Sequence, residues 1–108
     1  MVKLLRKVDQ WLLIGRGIEL SPTDIDSTGV RLIARGRTLG GPDDGTPFDR
    51  SLELSVGHST HFGPHVVVTL LEVRKDAVKF GVLAPANVPV LTREQAKQHE
   101  RRRGNDEP

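Results

Sequence analysis

The sequence predicts an all-β chain with a short C-terminal helix. Residues 63–92, GPHVVVTLLEVRKDAVKFGVLAPANVPVLT, hold three short apolar runs split by polar or proline-containing breaks, the pattern of an antiparallel meander. Residues 4–15 repeat it on a smaller scale, with Leu4–Val8 and Trp11–Gly15 flanking Asp9-Gln10. Thr92-Arg93-Glu94-Gln95 sets Thr and Gln at capping-box spacing, a helix start.

In chain order, Leu4 to Lys7 is a strand, Asp9-Gln10 a compact turn and Trp11–Gly15 a second strand. Gly15-Arg16-Gly17 permits a bend or bulge. Ile18-Glu19-Leu20 continues the strand until Ser21-Pro22-Thr23-Asp24 ends it, and Ser27-Thr28-Gly29 is a turn. Val30–Arg35 is a strand with its arginines on one face, since alternate residues share a face. Gly36 to Asp49, with four glycines, two prolines and three aspartates, reads as an irregular loop. Leu52–Val56 alternates as a half-buried strand, and Gly57–Pro64 is a connection. Val66–Val73 is apolar on both faces, Arg74-Lys75-Asp76 is a turn, and Val78, Phe80 and Val82 share one face. Pro89 within Val88-Pro89-Val90 marks an edge strand, because proline has no N–H for a second neighbour. The helix that follows has a single apolar residue, Ala96, so it is short and exposed, ending near Gly104. The tail 104–108 reads as disordered.

At 108 residues the chain is one domain with a modest core. It has no cysteine, so neither disulfides nor thiolate metal sites support it. No apolar run approaches the roughly 20 residues of a membrane span, and the expectation is a soluble cytoplasmic protein. The formal net charge of +2 is unevenly spread. Lys3, Arg6, Lys7 and Arg16 face only Asp9 in residues 1–17, whereas residues 18–60 set four arginines against seven carboxylates. Basic ends of this kind attract phosphate backbones. With only Trp11, Phe48, Phe62 and Phe80 as aromatics, base stacking of the kind used by many single-strand binders has little to work with.

The run of an apolar strand, a basic turn, Val78-Lys79-Phe80-Gly81-Val82-x-Ala84-Pro85, then Val88-Pro89-Val90 leading to a polar helix, resembles the carbon storage regulator (CsrA-type) family of small RNA-binding translational repressors. Leu4-Leu5-Arg6-Lys7-Val8 and the run ending Ile14-Gly15 resemble that family's first strand and the start of its second. The family-like parts are 1–15 and 62–103, and residues 16–61 look like an insertion between the first and second family strands. Ile14-Gly15 and Phe62-Gly63, two candidate ends of one motif, mark the splice point of that insertion. Partial duplication is the alternative, since residues 17–34 loosely mimic the layout of 65–82, but with little residue identity insertion is the preferred description.

The resemblance implies a five-strand core in an intertwined homodimer, an antiparallel sheet or barrel in which the first strand of one protomer lies beside the last strand of the other. It also implies an RNA site for a single-stranded GGA in a hairpin loop. The matching positions are Leu4, Leu5, Arg6 and Lys7 on the first strand and Val90, Leu91 and Thr92 on the last, with Arg93 beyond. Backbone groups at such an edge read bases while Arg6 and Lys7 contact phosphates. The simpler reading makes Leu4, Val8 and Val90 core residues, and alternation allows both. The family's principal arginine aligns with Thr92, one residue before Arg93.

Three further groups have simpler readings. His58, His61 and His65 have ligand-like spacing for Zn²⁺ or Cu²⁺, but solvated loop histidines account for them. Asp24, Asp26, Asp43, Asp44 and Asp49 fit turn chemistry better than catalysis or cation binding. Arg101-Arg102-Arg103 is either an RNA contact or a solvated helix end. No nucleophile–base pair and no cofactor motif stands out, so an enzyme is not expected. The expected function is repression of translation through GGA-type sites in mRNA leaders, with a protein antagonist as a further partner. The alternative is a dimeric protein-interaction module on the same scaffold with weakened RNA binding.

Overall fold

The computed structural model describes residues 1–15, 17–42, 44–92 and 94–95, and there the chain is all-β. Nine strands follow in order: β1 (Val2–Lys7), β2 (Leu12–Ile14), β3 (Ile18–Ile25), β4 (Gly29–Arg37), β5 (Pro47–Ser55), β6 (Ser59–His61), β7 (Val67–Val73), β8 (Ala77–Leu83) and β9 (Val90–Thr92). They make two antiparallel sheets, a four-stranded one ordered β1-β8-β7-β6 and a five-stranded one ordered β5-β4-β3-β2-β9. Among the described residues no helix is long and apolar enough to cross a membrane. The expected C-terminal helix beyond Gln95 and the tail 104–108 lie outside the described residues. The capping box itself forms: Thr92 N–H donates to Gln95 Oε1 at 2.9 Å, and Gln95 N–H donates to Thr92 Oγ1 at 3.2 Å.

One apolar cluster draws on both sheets, with Leu12, Ile18, Leu20 and Leu32 from one and Val68, Leu70, Phe80 and Val82 from the other. Phe62, just past β6, is fully buried with them. Alternation explains the choice of residues on either side of the bulges, with Ile18 and Leu20 of β3, Val68 and Leu70 of β7, and Val78, Phe80 and Val82 of β8 facing this core. The outer positions of β7 are half-buried, so its second apolar face is only partly covered.

The pairing pattern repeats at a spacing of 48 residues, from residue 20 to residue 68. Leu20 pairs with Ala34 and Val68 with Val82; Ile25 pairs with Val30 and Val73 with Val78. The bulges match too, between Pro22 and Asp24 in β3 and between Leu70 and Glu72 in β7. Both hairpins close with one bond at the same spacing, Asp26 N–H to Gly29 C=O at 3.1 Å and Arg74 N–H to Ala77 C=O at 2.8 Å. The turns after β1 and β5 correspond in turn. Asp9 (φ 66°) and Gly57 (φ 88°) occupy the left-handed position. Asp9 N–H donates to Pro22 C=O at 2.9 Å and Gly57 N–H to Leu70 C=O at 2.7 Å. At this spacing only Leu4/Leu52, Val8/Val56, Gly15/Gly63 and Val30/Val78 are identical.

The two repeats, β1–β4 and β5–β8, exchange their first strands. β1 pairs with β8 (Leu4 opposite Phe80), and β5 pairs with β4 (Leu52 opposite Leu32). The last strand, β9, closes on β2, with Leu13 opposite Leu91. Residues 16–61 therefore build most of the five-stranded sheet rather than sitting beside a finished core.

Three local expectations change. Pro22 does not end its strand. It lies inside β3, where the N–H of its counterpart Leu70 reaches only the turn carbonyl of His58, so proline forfeits one turn bond and no ladder bond. β5 starts at Pro47 rather than Leu52, and β6 forms within the segment read as a connection. Val8, a core candidate, is 43% exposed because it enters the turn. Gly36, at φ 142°, is required where β4 passes β3, since a Cβ there would meet the Gly17 carbonyl oxygen.

Candidate nucleic-acid interface

β1 and β9 each end a sheet, so each presents one edge without a strand neighbour among the described residues. Along β1 the alternation turns Leu4 and Arg6 inward and Lys3, Leu5 and Lys7 outward. Leu4 packs against the core, while Leu5 is 41% exposed. The Arg6 side chain is only 12% exposed. Its Nε donates to Leu5 C=O at 2.7 Å, and one terminal nitrogen donates to Trp11 C=O at 3.3 Å and to Glu94 Oε2 at 3.5 Å. The residues of the first strand and those following the last strand thus meet within one chain. The Glu94 carboxyl is held below the usual carboxylate range by its own backbone N–H, then by the Thr92 hydroxyl and by Arg6.

Val90, Leu91 and Thr92 are half-buried along β9. The Thr92 hydroxyl accepts the Gln95 N–H, so this residue serves as a helix cap where the resemblance places an arginine. Arg93 lies outside the described residues. Lys7 reaches Asp76 at 3.4 Å, with both side chains exposed; such a pair contributes about 0–1 kcal/mol and leaves the ammonium accessible to a phosphate.

The structure adds a cation that sequence reasoning passed over. Lys79 of β8 lies opposite the exposed Leu5, two positions along from Lys7, which lies opposite Ala77. Glu72 lies across from Lys79 on the other side but pairs with Arg74 at 3.1 Å. Among the described residues Lys79 has no ion pair. Lys3, Lys7 and Lys79 therefore share the outer face of β1 and β8, a cluster that the alternation of Leu4–Lys7 signals only once β8 is known to be the neighbour.

The counterpart of this face, at β5 and β4, differs in charge. Arg31, the counterpart of Lys79, is clasped by Glu53 through bonds of 2.7 and 3.2 Å. That carboxylate raises the arginine's pKa. Toward the opposite end of β5, a cavity of about 490 Å³ is lined by Thr38, Phe48, Arg50 and His61. There Phe48 stacks on Phe62 with centroids 5.2 Å apart, and the Arg50 guanidinium lies 5.0 Å over the Phe48 ring. Arg35 lies 5.0 Å over Trp11, an exposed-site contact of about 0.5–1 kcal/mol.

His58, His61 and His65 are exposed, and among the described residues no three metal-ligating side chains converge. Of the described aspartates, Asp26 and Asp44 serve turns, whereas Asp24 lies within β3 and Asp49 within β5, because β4 gives both a ladder. Asp44 Oδ1 accepts Gly40 N–H at 2.7 Å, and Asp26 Oδ1 accepts Thr28 N–H, Thr28 Oγ1–H and Gly29 N–H at 2.8, 2.8 and 2.9 Å. Asp43 and Arg101-Arg102-Arg103 lie outside the described residues. The Thr28 and Gly29 bonds lower the Asp26 pKa from 3.8. A depressed carboxyl stabilises the fold above its unfolded pKa, and this contribution is lost as pH falls through the folded value. The stability gap between the wild type and Asp26→Ala is expected to be widest at neutral pH and to narrow well below pH 3.8; urea midpoints at both conditions measure it.

Comparison of the chain with protein-family models, curated proteins and solved structures finds no match.

Proposed function

We propose that this chain is an RNA-binding post-transcriptional regulator that holds single-stranded GGA sites in mRNA leaders and represses translation. The observation that carries the reading is the contact within one chain between Arg6 of β1 and Glu94, two residues past β9. It ties the Leu4–Lys7 segment to the residues that follow Val90–Thr92, the two segments that the family resemblance assigns to RNA. The resemblance implies a first strand beside the last, whereas β1 pairs with β8 and β9 with β2. The exchange of β1 and β5 between repeats favours duplication over insertion as the origin of residues 16–61. A single chain then carries both segments of the proposed ledge, and a homodimer is compatible with the reading but not required by it.

In this reading Lys3, Lys7 and Lys79 contact phosphates. Val90 and Leu91 offer an aliphatic shelf, and Leu5 adds apolar surface on the outer face while Leu4 is turned into the core. The edges of β1 and β9 offer backbone groups to bases, and Arg93 contributes from beyond Thr92. Arg6 acts chiefly as the strut between β1 and the segments at Trp11 and Glu94, since its Nε and one terminal nitrogen are engaged by Leu5, Trp11 and Glu94.

A gel-shift titration with a GGA hairpin tests the reading. Wild-type protein is expected to shift the hairpin at micromolar concentration, less strongly as salt rises. Lys3→Glu with Lys7→Glu is expected to weaken binding by about tenfold or more, because each lost phosphate contact also loses its counterion release. This pair is cleaner than a change at Arg6, whose removal disturbs the strut. No salt-sensitive shift by the wild type rejects RNA binding.

The protein-interaction alternative rests on Thr92, whose hydroxyl is spent on the cap, and on the acidic character of residues 18–60. It predicts no shift, and a protein complex that survives Lys3→Glu with Lys7→Glu.

A further inference from the structure

We infer that each chain offers one RNA site and not two, because the second site that the internal repeat would generate has been neutralised. The inference rests on the RNA reading above and concerns its stoichiometry and electrostatics.

Matching pairing registers define the counterpart of the ledge position by position. In β1, Leu4 lies opposite Phe80; in β5, Leu52 lies opposite Leu32. Carried along the strands, this sets Ser51, Glu53, Leu54 and Ser55 of β5 against Lys3, Leu5, Arg6 and Lys7 of β1. Every basic residue of β1 is thus replaced by an uncharged one, and exposed Leu5 by a carboxylate.

The central strand completes the contrast. Lys79, opposite Leu5, has no ion pair among the described residues. Its counterpart Arg31, opposite Glu53, is held by that carboxylate at 2.7 Å. A phosphate approaching β1 meets Lys3 and Lys79, which have no ion pair among the described residues, and Lys7 in one exposed pair with Asp76. At β5 the counterparts of Lys3 and Lys7 are uncharged and Arg31 is paired with Glu53. At the same spacing Thr92 of β9 corresponds to Asp44, whose carboxylate would add like-charge repulsion to an incoming backbone. Asp44 is also committed to closing its own loop on Gly40.

The covering strand differs as well. β2 is covered by β9, and Gly15 N–H donates to Pro89 C=O at 2.7 Å. At the counterpart position no strand joins β6 among the described residues. Leu39 N–H instead donates to Phe62 C=O at 3.2 Å. The shelf that β9 supplies to the first site is therefore missing from the second, and Phe48, Phe62 and Arg50 occupy that end of the molecule as a packed stack.

Native mass spectrometry of the full chain with a single-site GGA hairpin in excess, read beside calorimetric titration, counts the sites. One hairpin per chain is expected, whatever the oligomeric state. Lys79→Gln is expected to weaken binding by roughly three- to tenfold with a shallower salt dependence, and Arg31→Gln to leave affinity within about twofold. Both positions lie on sheet faces, and a thermal melt of each variant confirms folding. Two hairpins per chain, or equal losses from Lys79→Gln and Arg31→Gln, overturn the inference while leaving RNA binding intact. Absence of any complex overturns the RNA reading and this inference with it.

Discussion

Cutting the chain between Asp44 and Gly45 is expected to produce two pieces that fold only together. Piece 1–44 would keep β1 through β4, but among the described residues the neighbour of β1 is β8, and the outer edge of β4 is paired by β5. Piece 45–108 would keep β5 through β9, but among the described residues β5 pairs with β4 and β9 with β2. Each piece retains three consecutive strands, β2–β3–β4 or β6–β7–β8, with its apolar face uncovered. Leu20 and Leu32 would lose Val68, Leu70 and Phe80 as partners in the shared cluster. Three strands with one bare face are marginal without a packing partner. Amide spectra of either piece alone should lack dispersion. An equimolar mixture should regain it in a concentration-dependent manner, since joining free pieces costs translational and rotational freedom. A piece 45–108 that folds alone would contradict the exchange of β1 and β5.

The second large effect lies in the core. Phe80 is fully buried and sits in register between Leu4 of β1 and Leu70 of β7. Phe80→Ala leaves a cavity that a two-sheet core closes poorly, at a cost of about 3–5 kcal/mol. A chain of this size has about 5–15 kcal/mol of total stability to lose. The urea midpoint is expected to fall by roughly 1–3 M at an unchanged slope. Leu32, the counterpart of Phe80 in the other repeat and also fully buried, should lose about 2–5 kcal/mol on conversion to alanine. Comparable losses at the two positions are expected if both repeats share one cooperative core. A biphasic transition in either variant would show that the two sheets unfold independently.

The segments that were legible from sequence are those whose local chemistry decides their conformation. The apolar run Val66–Val73, the turn Arg74-Lys75-Asp76 and the alternating Val78, Phe80 and Val82 became β7, its hairpin and β8. Thr92 and Gln95 formed the capping box from spacing alone. β6 escaped notice because Ser59-Thr60-His61 carries no apolar alternation: it is an edge strand with two of its three residues exposed. β5 was read short because Pro47 and Asp49 carry turn chemistry, yet β4 supplies them a ladder. Pro22 misled for a related reason, since its cost depends on which neighbour would have received its N–H. At the candidate interface, Arg6 and Lys7 were legible as basic residues on a strand. Lys79 was not, because its value lies in which residue stands across the sheet from it.

Local pattern along the chain is enough for the all-β class, the β7–β8 hairpin, the cap at Thr92 and the basic character of the N-terminal segment, because alternation, turn chemistry and charge act over a few residues. The pairing of β1 with β8 and of β5 with β4, the recurrence of registers 48 residues apart, as from Leu20 to Val68, and the cluster of cations beside β1 where β5 sets Glu53 against Arg31 belong to the folded arrangement alone. Strand partnership is a non-local choice, set by which apolar faces can share one core, and four identical residues across two repeats are too few for it to be read along the chain.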